Sequence, residues 1–357
     1  MNQEKSIRIK GVRSTVISVI VGGVIVWFLL SKIDVRDIPR AIGAISLQSL
    51  LFAFLLYVIS VFLKSLRFRT ILRDVISLRR LFPIISLYTF FSNILPMRTG
   101  ELSYIYFLKK EAKTPGTKSF ASLIAAGIAD ATVLLMAMFI VGWHLREALA
   151  KGLLRFQSAS GQRTEMLARM AKKNFSLFIA IAILTVGGII GLILLKRRRT
   201  QAGQVSRTRR LASSIKAKSL EVWSELANTS FDLRLLSIIV LSVLIIAFRF
   251  GTQWYLVQSM GISIGIWKFS FALLFGVLFS LLPVHGPAGF GTVEGPWVLT
   301  LSVLNVSRED AITSGFGLHI IIIMYCIILG IYGVADMFVR KHRKDGARVV
   351  PTKSKNV

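Results

Sequence analysis

Two apolar stretches of this chain are broken in the same way, one in each half, and no other feature restricts the fold as strongly. Asn93-Ile94-Leu95-Pro96 leads through Thr99-Gly100 to Glu101, and Ser280-Leu281-Leu282-Pro283 leads through Gly286-Pro287-Ala288-Gly289-Phe290-Gly291-Thr292 to Glu294. Backbone leaves a helix at membrane depth only where it lines a cavity or is buried in protein. Matched breaks in two halves therefore point to a transport site.

The membrane class itself follows from composition. Hydrophobic residues make up 54% of the chain, mean hydropathy is +0.66, and several runs reach the length of about 20 residues that crosses a bilayer. The expected fold class is an all-α integral membrane protein, a polytopic helical bundle built as an inverted repeat. Full spans are predicted near 14–31, 48–65, 120–143, 176–195, 234–257 and 311–337. The stretches 81–112 and 266–305 each contain two short apolar pieces around a break and are predicted to be re-entrant hairpins. This divides the chain into a first part over 1–195, a basic linker over 196–232, a second part over 233–338 and a basic tail over 339–357. The loops are too short for a soluble catalytic module.

Lys and Arg favour the cytoplasmic side, so their distribution sets the orientation. They are densest in the N-terminal tail (Lys5, Arg8, Lys10, Arg13), the 64–80 connection (Lys64, Arg67, Arg69, Arg73, Arg79, Arg80), the stretch from Lys196-Arg197-Arg198-Arg199 to 218, and the tail (Arg340, Lys341, Arg343, Lys344). Six spans with two hairpins that open on opposite sides put all four in the cytoplasm, together with both termini. Each half then reads span, span, hairpin, span. The 144–175 loop fits poorly, with seven bases against Glu147 and Glu165 on the outer side, unless it packs there as an amphipathic segment. The run Ser14 to Leu30 lacks a small-residue cleavage site and is expected to be a retained first helix of a cell-membrane protein.

The +28 formal charge lies mostly between apolar runs, which suits topology and anionic lipid head groups and implies no nucleic-acid partner. Cys326 is the single cysteine, and His144, His285, His319 and His342 are scattered, so no metal site and no cofactor is expected. No Walker P-loop, HExxH or GxSxG signature is present, and an enzyme is not expected.

The breaks supply the candidate binding residues. Thr99 and Thr292 are placed to cap helices that start just after each break, where free N–H groups and the helix dipole attract an anion such as phosphate. Ordinary turns and caps are the alternative for them and for Gly100, Gly289 and Gly291. Glu101 and Glu294 follow at membrane depth, where they hold a basic partner, couple an ion, or brace neighbouring N–H groups. Asp130 and Arg249 lie inside apolar runs, and Arg98 and Arg249 are the candidate partners for a substrate phosphate and for the carboxylates. Arg67-Phe68 and Arg249-Phe250 lie 29 and 34 residues before the two prolines, with Arg67 more readily an interfacial anchor. His285 sits in the second break near any substrate. His319 in the last span is a satisfied interior group or a proton relay.

Leu95-Pro96-Met97-Arg98-Thr99-Gly100-Glu101, Asp130 on the next span, and the stretch from Leu282 to Glu294 together resemble the flippase-like family named for the transmembrane region of lysylphosphatidylglycerol synthases. The resemblance runs from about Ser14 to Phe338. It implies a bundle that moves an anionic or aminoacylated phospholipid, or a polyprenyl or sugar lipid, between leaflets. In the synthases an aminoacyl-transfer domain follows this region, and with the present sequence ending at Val357 that activity is not expected here. Tyr104, Gly127 and His319 stand where the family often carries arginine, which bears on the head group held. Two rivals remain: an accessory scaffold for a separate lipid-modifying enzyme, and a membrane-embedded transferase or hydrolase acting on lipid phosphate.

Overall fold

The computed structural model describes residues 23–73, 75–95, 100–160, 233–280 and 287–348, and these are helices and turns without a strand among the described residues. The helical stretch 23–30 is followed by α1 (Asp37–Gly43), α2 (Leu47–Ile71), α3 (Leu78–Ile94), α4 (Gly100–Ala112), α5 (Gly116–His144) and α6 (Arg146–Ser160). The second half contains α7 (Leu233–Ser259), α8 (Ile266–Phe279), a 3-10 turn (Pro287–Gly289), α9 (Glu294–Val303) and α10 (Arg308–Arg348). The predicted span 176–195 and linker 196–232, most of the first span's start, and the end of the tail lie outside the described residues.

Four helices are long and apolar enough to cross a bilayer: α2, α5, α7 and the Arg308–Arg340 part of α10. Their outward faces carry exposed apolar side chains, including Phe52 and Leu55 on α2, Met136 and Ile140 on α5, Leu236 and Val240 on α7, and Ile331 and Val334 on α10. Exposed apolar faces on this scale are what a lipid solvent selects. For the four predicted spans that lie within the described residues, prediction and helix agree within a few residues, with one consequential exception. The expected second span stopped at 65, whereas α2 continues to Ile71, so Lys64, Arg67 and Arg69 belong to a helix and not to a cytoplasmic connection. The apolar run ends early because the helix carries charges inside the bundle that tertiary partners compensate.

Each predicted hairpin is a pair of packed helices. α3 packs on α4 around the first break, and α8 on α9 around the second. At 1.5 Å per residue, the 13-residue α4 is about 20 Å long and the 10-residue α9 about 15 Å. Gly100 sits where a Cβ would run into the backbone of Phe91 and Ser92, which keeps the arms of the first pair close.

The packing relations repeat between the halves. Taking α2 with α7, α3 with α8, α4 with α9 and α5 with α10, the contacts α2–α3, α3–α4, α4–α5 and α2–α5 recur as α7–α8, α8–α9, α9–α10 and α7–α10. Across the halves, α3–α10 matches α8–α5, and α2 packs on its own counterpart α7. Small residues permit one of these crossings, because a side chain on Gly330 or Gly333 would collide with Phe90 or with Leu87 and the Pro83 carbonyl of α3.

The turns gather at two ends. Arg155 Nη1 donates to Asn305 Oδ1 (3.1 Å), the His144 and Trp267 rings stack at 4.2 Å, and Gly317 lies against Met260 and Ile42, so residues 31–46, 260–265 and 304–307 share one end with α6. Part of the awkward 144–175 loop is therefore helix α6. It packs on α9, with Gly152 set against the Val303 carbonyl. At the other end Arg340 lies within electrostatic reach of Glu111, Arg79 and Arg80. The α3–α4 pair opens at this second end and α8–α9 at the first, and the 3-10 turn of the second break packs on α3 inside the bundle.

Candidate functional site

The densest charge inside the bundle lies between α2, α5 and α7. Arg67, only 1% exposed, meets both oxygens of Asp130 on α5. Its Nη2 donates to Oδ2 at 3.0 Å and its Nη1 reaches Oδ1. Nη1 also donates to Ser242 Oγ on α7 at 2.8 Å. A bidentate pair of this kind is among the stronger polar contacts and satisfies the need of an intramembrane carboxylate for a partner. Sequence reasoning placed Arg67 at the interface and offered Arg98 or Arg249 to Asp130. The structure instead buries Arg67, which is tolerable only with a carboxylate alongside, and makes it the partner of Asp130, while Arg98 lies outside the described residues.

Aromatic residues wall this pair. Tyr104 is fully buried between Phe68 (ring centroids 4.8 Å apart) and Tyr88 (5.5 Å), and its hydroxyl shares a 2.8 Å hydrogen bond with Ser122. Lys64, one turn before Arg67, donates to Thr89 Oγ1 at 3.4 Å, and its Nζ lies 4.2 Å from the Tyr88 ring centroid. Tyr57 shares a 2.9 Å hydrogen bond with Cys326 on α10. Glu101, the second residue of α4, is half-buried and within electrostatic reach of Tyr88.

Arg249 stands on the counterpart helix α7, as its sequence pairing with Arg67 anticipated, but in different surroundings. Ser242 and Leu256, two turns away on either side along the same stripe, are completely buried, whereas Arg249 is exposed. The inward face of α7 therefore opens at Arg249. Asp130 is 36% exposed, and Gly127, one turn before it, is exposed with no neighbour where a Cβ would be. Among the described residues Arg249 forms no ion pair, so the expected Arg249 contact with the carboxylates is not observed.

Among the described residues of the second break the charged group is enclosed. Glu294, completely buried at the start of α9, accepts a hydrogen bond from the Gly291 N–H at 2.7 Å and meets His319 Nδ1 of α10 at 2.5 Å. The Phe290 ring lies against the imidazole, with centroids 4.6 Å apart. Gly289 and Gly291 adopt φ of +80°, the left-handed region that glycine enters without strain, and a Cβ on Gly289 would press on Val293 near the His319 ring. Thr292 does not cap α9. The N-cap is Val293, and Thr292 Oγ1 donates back to the Gly289 carbonyl at 2.9 Å. The reversal follows from Glu294, whose own carboxylate already takes the turn's N–H.

Of the residues singled out from the sequence, the structure brings Glu294, His319, Gly289, Gly291 and Thr292 together at the second break, and sets Asp130, Glu101 and Arg249 around the first. Gly100 serves close packing. Arg98, Thr99 and His285 lie outside the described residues. Lys64, Tyr88 and Ser242 were missed. Lys64 had a signal, since it continues the helical stripe of Tyr57, Val61 and Phe68, but it was counted among the bases of the 64–80 connection.

An open surface recess of about 470 Å³, lined by Ser31, Lys32, Ile33, Asp34, Asp37 and Glu309, belongs to the turns at one end and not to this interior. No curated protein matches the chain. The polytopic helical architecture agrees with the family comparison, in which residues 15–330 match the lysylphosphatidylglycerol synthase TM region, and the chain belongs to that family.

Proposed function

We propose that this protein is a flippase-like transporter that moves the head group of an anionic or aminoacylated phospholipid, or a related polyprenyl or sugar lipid, between leaflets while the acyl chains stay in the bilayer. One observation supports the reading: a charged and partly open interior lies between α2, α5 and α7 beside the α3–α4 pair, and the turn of the second break packs on α3 from the opposite side of the fold. In this reading both pairs are re-entrant, since the short arms α4 and α9 fall below the thickness of about 30 Å of a hydrocarbon core. The lipid crosses chemically unchanged, and the chain acts without catalysis or cofactor. Exposed Arg79, Arg80, Lys109 and Lys110 mark the cytoplasmic end by the positive-inside rule, with both termini on that side of the cell membrane.

The test is lipid movement in vesicles holding the purified protein, with head-group-labelled anionic lipids, for wild type, Glu101→Gln and Glu294→Gln. Movement that both substitutions suppress supports the reading; a lipid that is chemically altered, or does not move at all, sinks it. The exposed basic end favours a second reading, a scaffold for a lipid-modifying enzyme, in which interior substitutions are harmless and reversing the charges of Arg79 and Arg80 is not.

A further inference from the structure

Lys64 is a sparsely compensated cation in the bundle interior. Its neighbours on the same stripe of α2, Tyr57, Val61 and Phe68, are buried core residues. An ammonium has three N–H donors, and among the described residues Lys64 has one hydrogen-bond acceptor, Thr89, at a long 3.4 Å. The Tyr88 ring covers another side. Across the α2–α7 contact, Arg249 stands exposed on an otherwise buried stripe. Lys64 lies within electrostatic reach of Arg249, Arg67 and Asp130.

The charges do not balance. Asp130 is engaged by Arg67, whose Nε is itself buried without a partner. Glu101 acts on Tyr88 at the edge of the group. Among the described residues three cations, Lys64, Arg67 and Arg249, therefore stand against Asp130 and Glu101, and Asp130 is already held in a bidentate pair. Like charges at this depth repel through a poorly screening medium, and an anion between them relieves both the repulsion and the unfilled donors.

We propose that Lys64 and Arg249 form a subsite for a phosphate anion, supplied here by a phospholipid head group, and that the excess of cations selects an anionic head group over a cationic aminoacylated one. An arginine and a lysine suit this ligand differently: the guanidinium fork grips two phosphate oxygens, and the ammonium adds a compact charge. The inference takes its setting from the transport reading, but its test is binding alone.

The experiment measures the anisotropy of a fluorescent phosphatidylglycerol added to the full-length protein in zwitterionic nanodiscs, with unlabelled phosphatidylglycerol, lysylphosphatidylglycerol and inorganic phosphate as competitors. Lys64→Met and Arg249→Met are each expected to raise Kd about tenfold, the loss of one charge-assisted contact, while Lys64→Arg stays close to wild type and so separates charge from folding. Unlabelled phosphatidylglycerol is expected to compete at least tenfold better than the lysyl lipid. Unchanged Kd in both methionine variants, or preference for the lysyl lipid, overturns the proposal. Displacement by millimolar inorganic phosphate overturns the lipid as the source and leaves the anion chemistry standing. Binding through Lys64 without lipid movement in vesicles sinks the transport reading alone. Movement that needs Glu101 but is indifferent to Lys64→Met sinks the subsite alone.

Discussion

Arg67 and Asp130 lie 63 residues apart in the chain and join α2 to α5 through two guanidinium nitrogens, with Ser242 of α7 as a third anchor. The pair is lopsided. The arginine is fully enclosed while a third of the carboxylate side chain remains accessible, so one member holds the bundle together and the other borders the open region beside Gly127.

Asp130→Asn removes the counter-charge and leaves Arg67 buried without it. We expect a loss of about 3 kcal/mol, read as a fall in Tm of the purified protein, and recovery of most of that loss in Arg67→Met/Asp130→Leu. A double variant no more stable than Asp130→Asn would refute a structural role for the pair.

Exposure of Arg249 on an inward stripe makes a prediction about access. In a Cys326→Ala background, Arg249→Cys should react with a charged thiol reagent at least tenfold faster than Ser242→Cys on the same stripe, since the first position is open and the second closed. Equal rates would mean that the α7 face does not open there.

At the second break the side chain of Glu294 accepts from a backbone N–H and touches His319. Glu294→Gln keeps an acceptor for Gly291 and should cost about 1 kcal/mol, while Glu294→Leu strands both partners and should cost about 3 kcal/mol, as measured by thermal unfolding. Equal costs would show that the turn does not depend on that hydrogen bond.

The α3–α10 crossing depends on Gly330 and Gly333, where added side chains meet Phe90 and the Pro83 carbonyl. Gly333→Leu should destabilise by about 2 kcal/mol or more through overpacking, whereas Gly251→Leu on α7, with open space at its Cβ, should be near neutral. Similar shifts in Tm for the two variants would contradict close packing at this crossing.

Much of the architecture was readable in the residues. Apolar runs located α5, α7 and α10 to within a few positions, and the Pro/Gly breaks located both short helix pairs. Glu294, Gly289, Gly291 and His319 were each named from the sequence, but His319 was read apart from the break as a lone interior group, and Thr292 was offered as the cap of a helix whose turn N–H bonds Glu294 instead. The interior cations were misread. Lys64 and Arg67 counted as loop charges because a hydropathy run ends where charges begin, and a charge looks the same in sequence whether water or Asp130 compensates it.

The sequence alone determined the class of solvent this chain requires and the places where its helices must break, because both depend on local properties: the length of an apolar run, and the backbone limits of proline and glycine. Only the tertiary structure decided which charges are partnered. Arg67 and Arg249 occupy matching helices and read alike in the chain, yet one is locked to Asp130 and Ser242 and the other stands open. That difference is set by which helices cross at each depth, and electrostatic compensation between residues far apart in the chain exists only once they do.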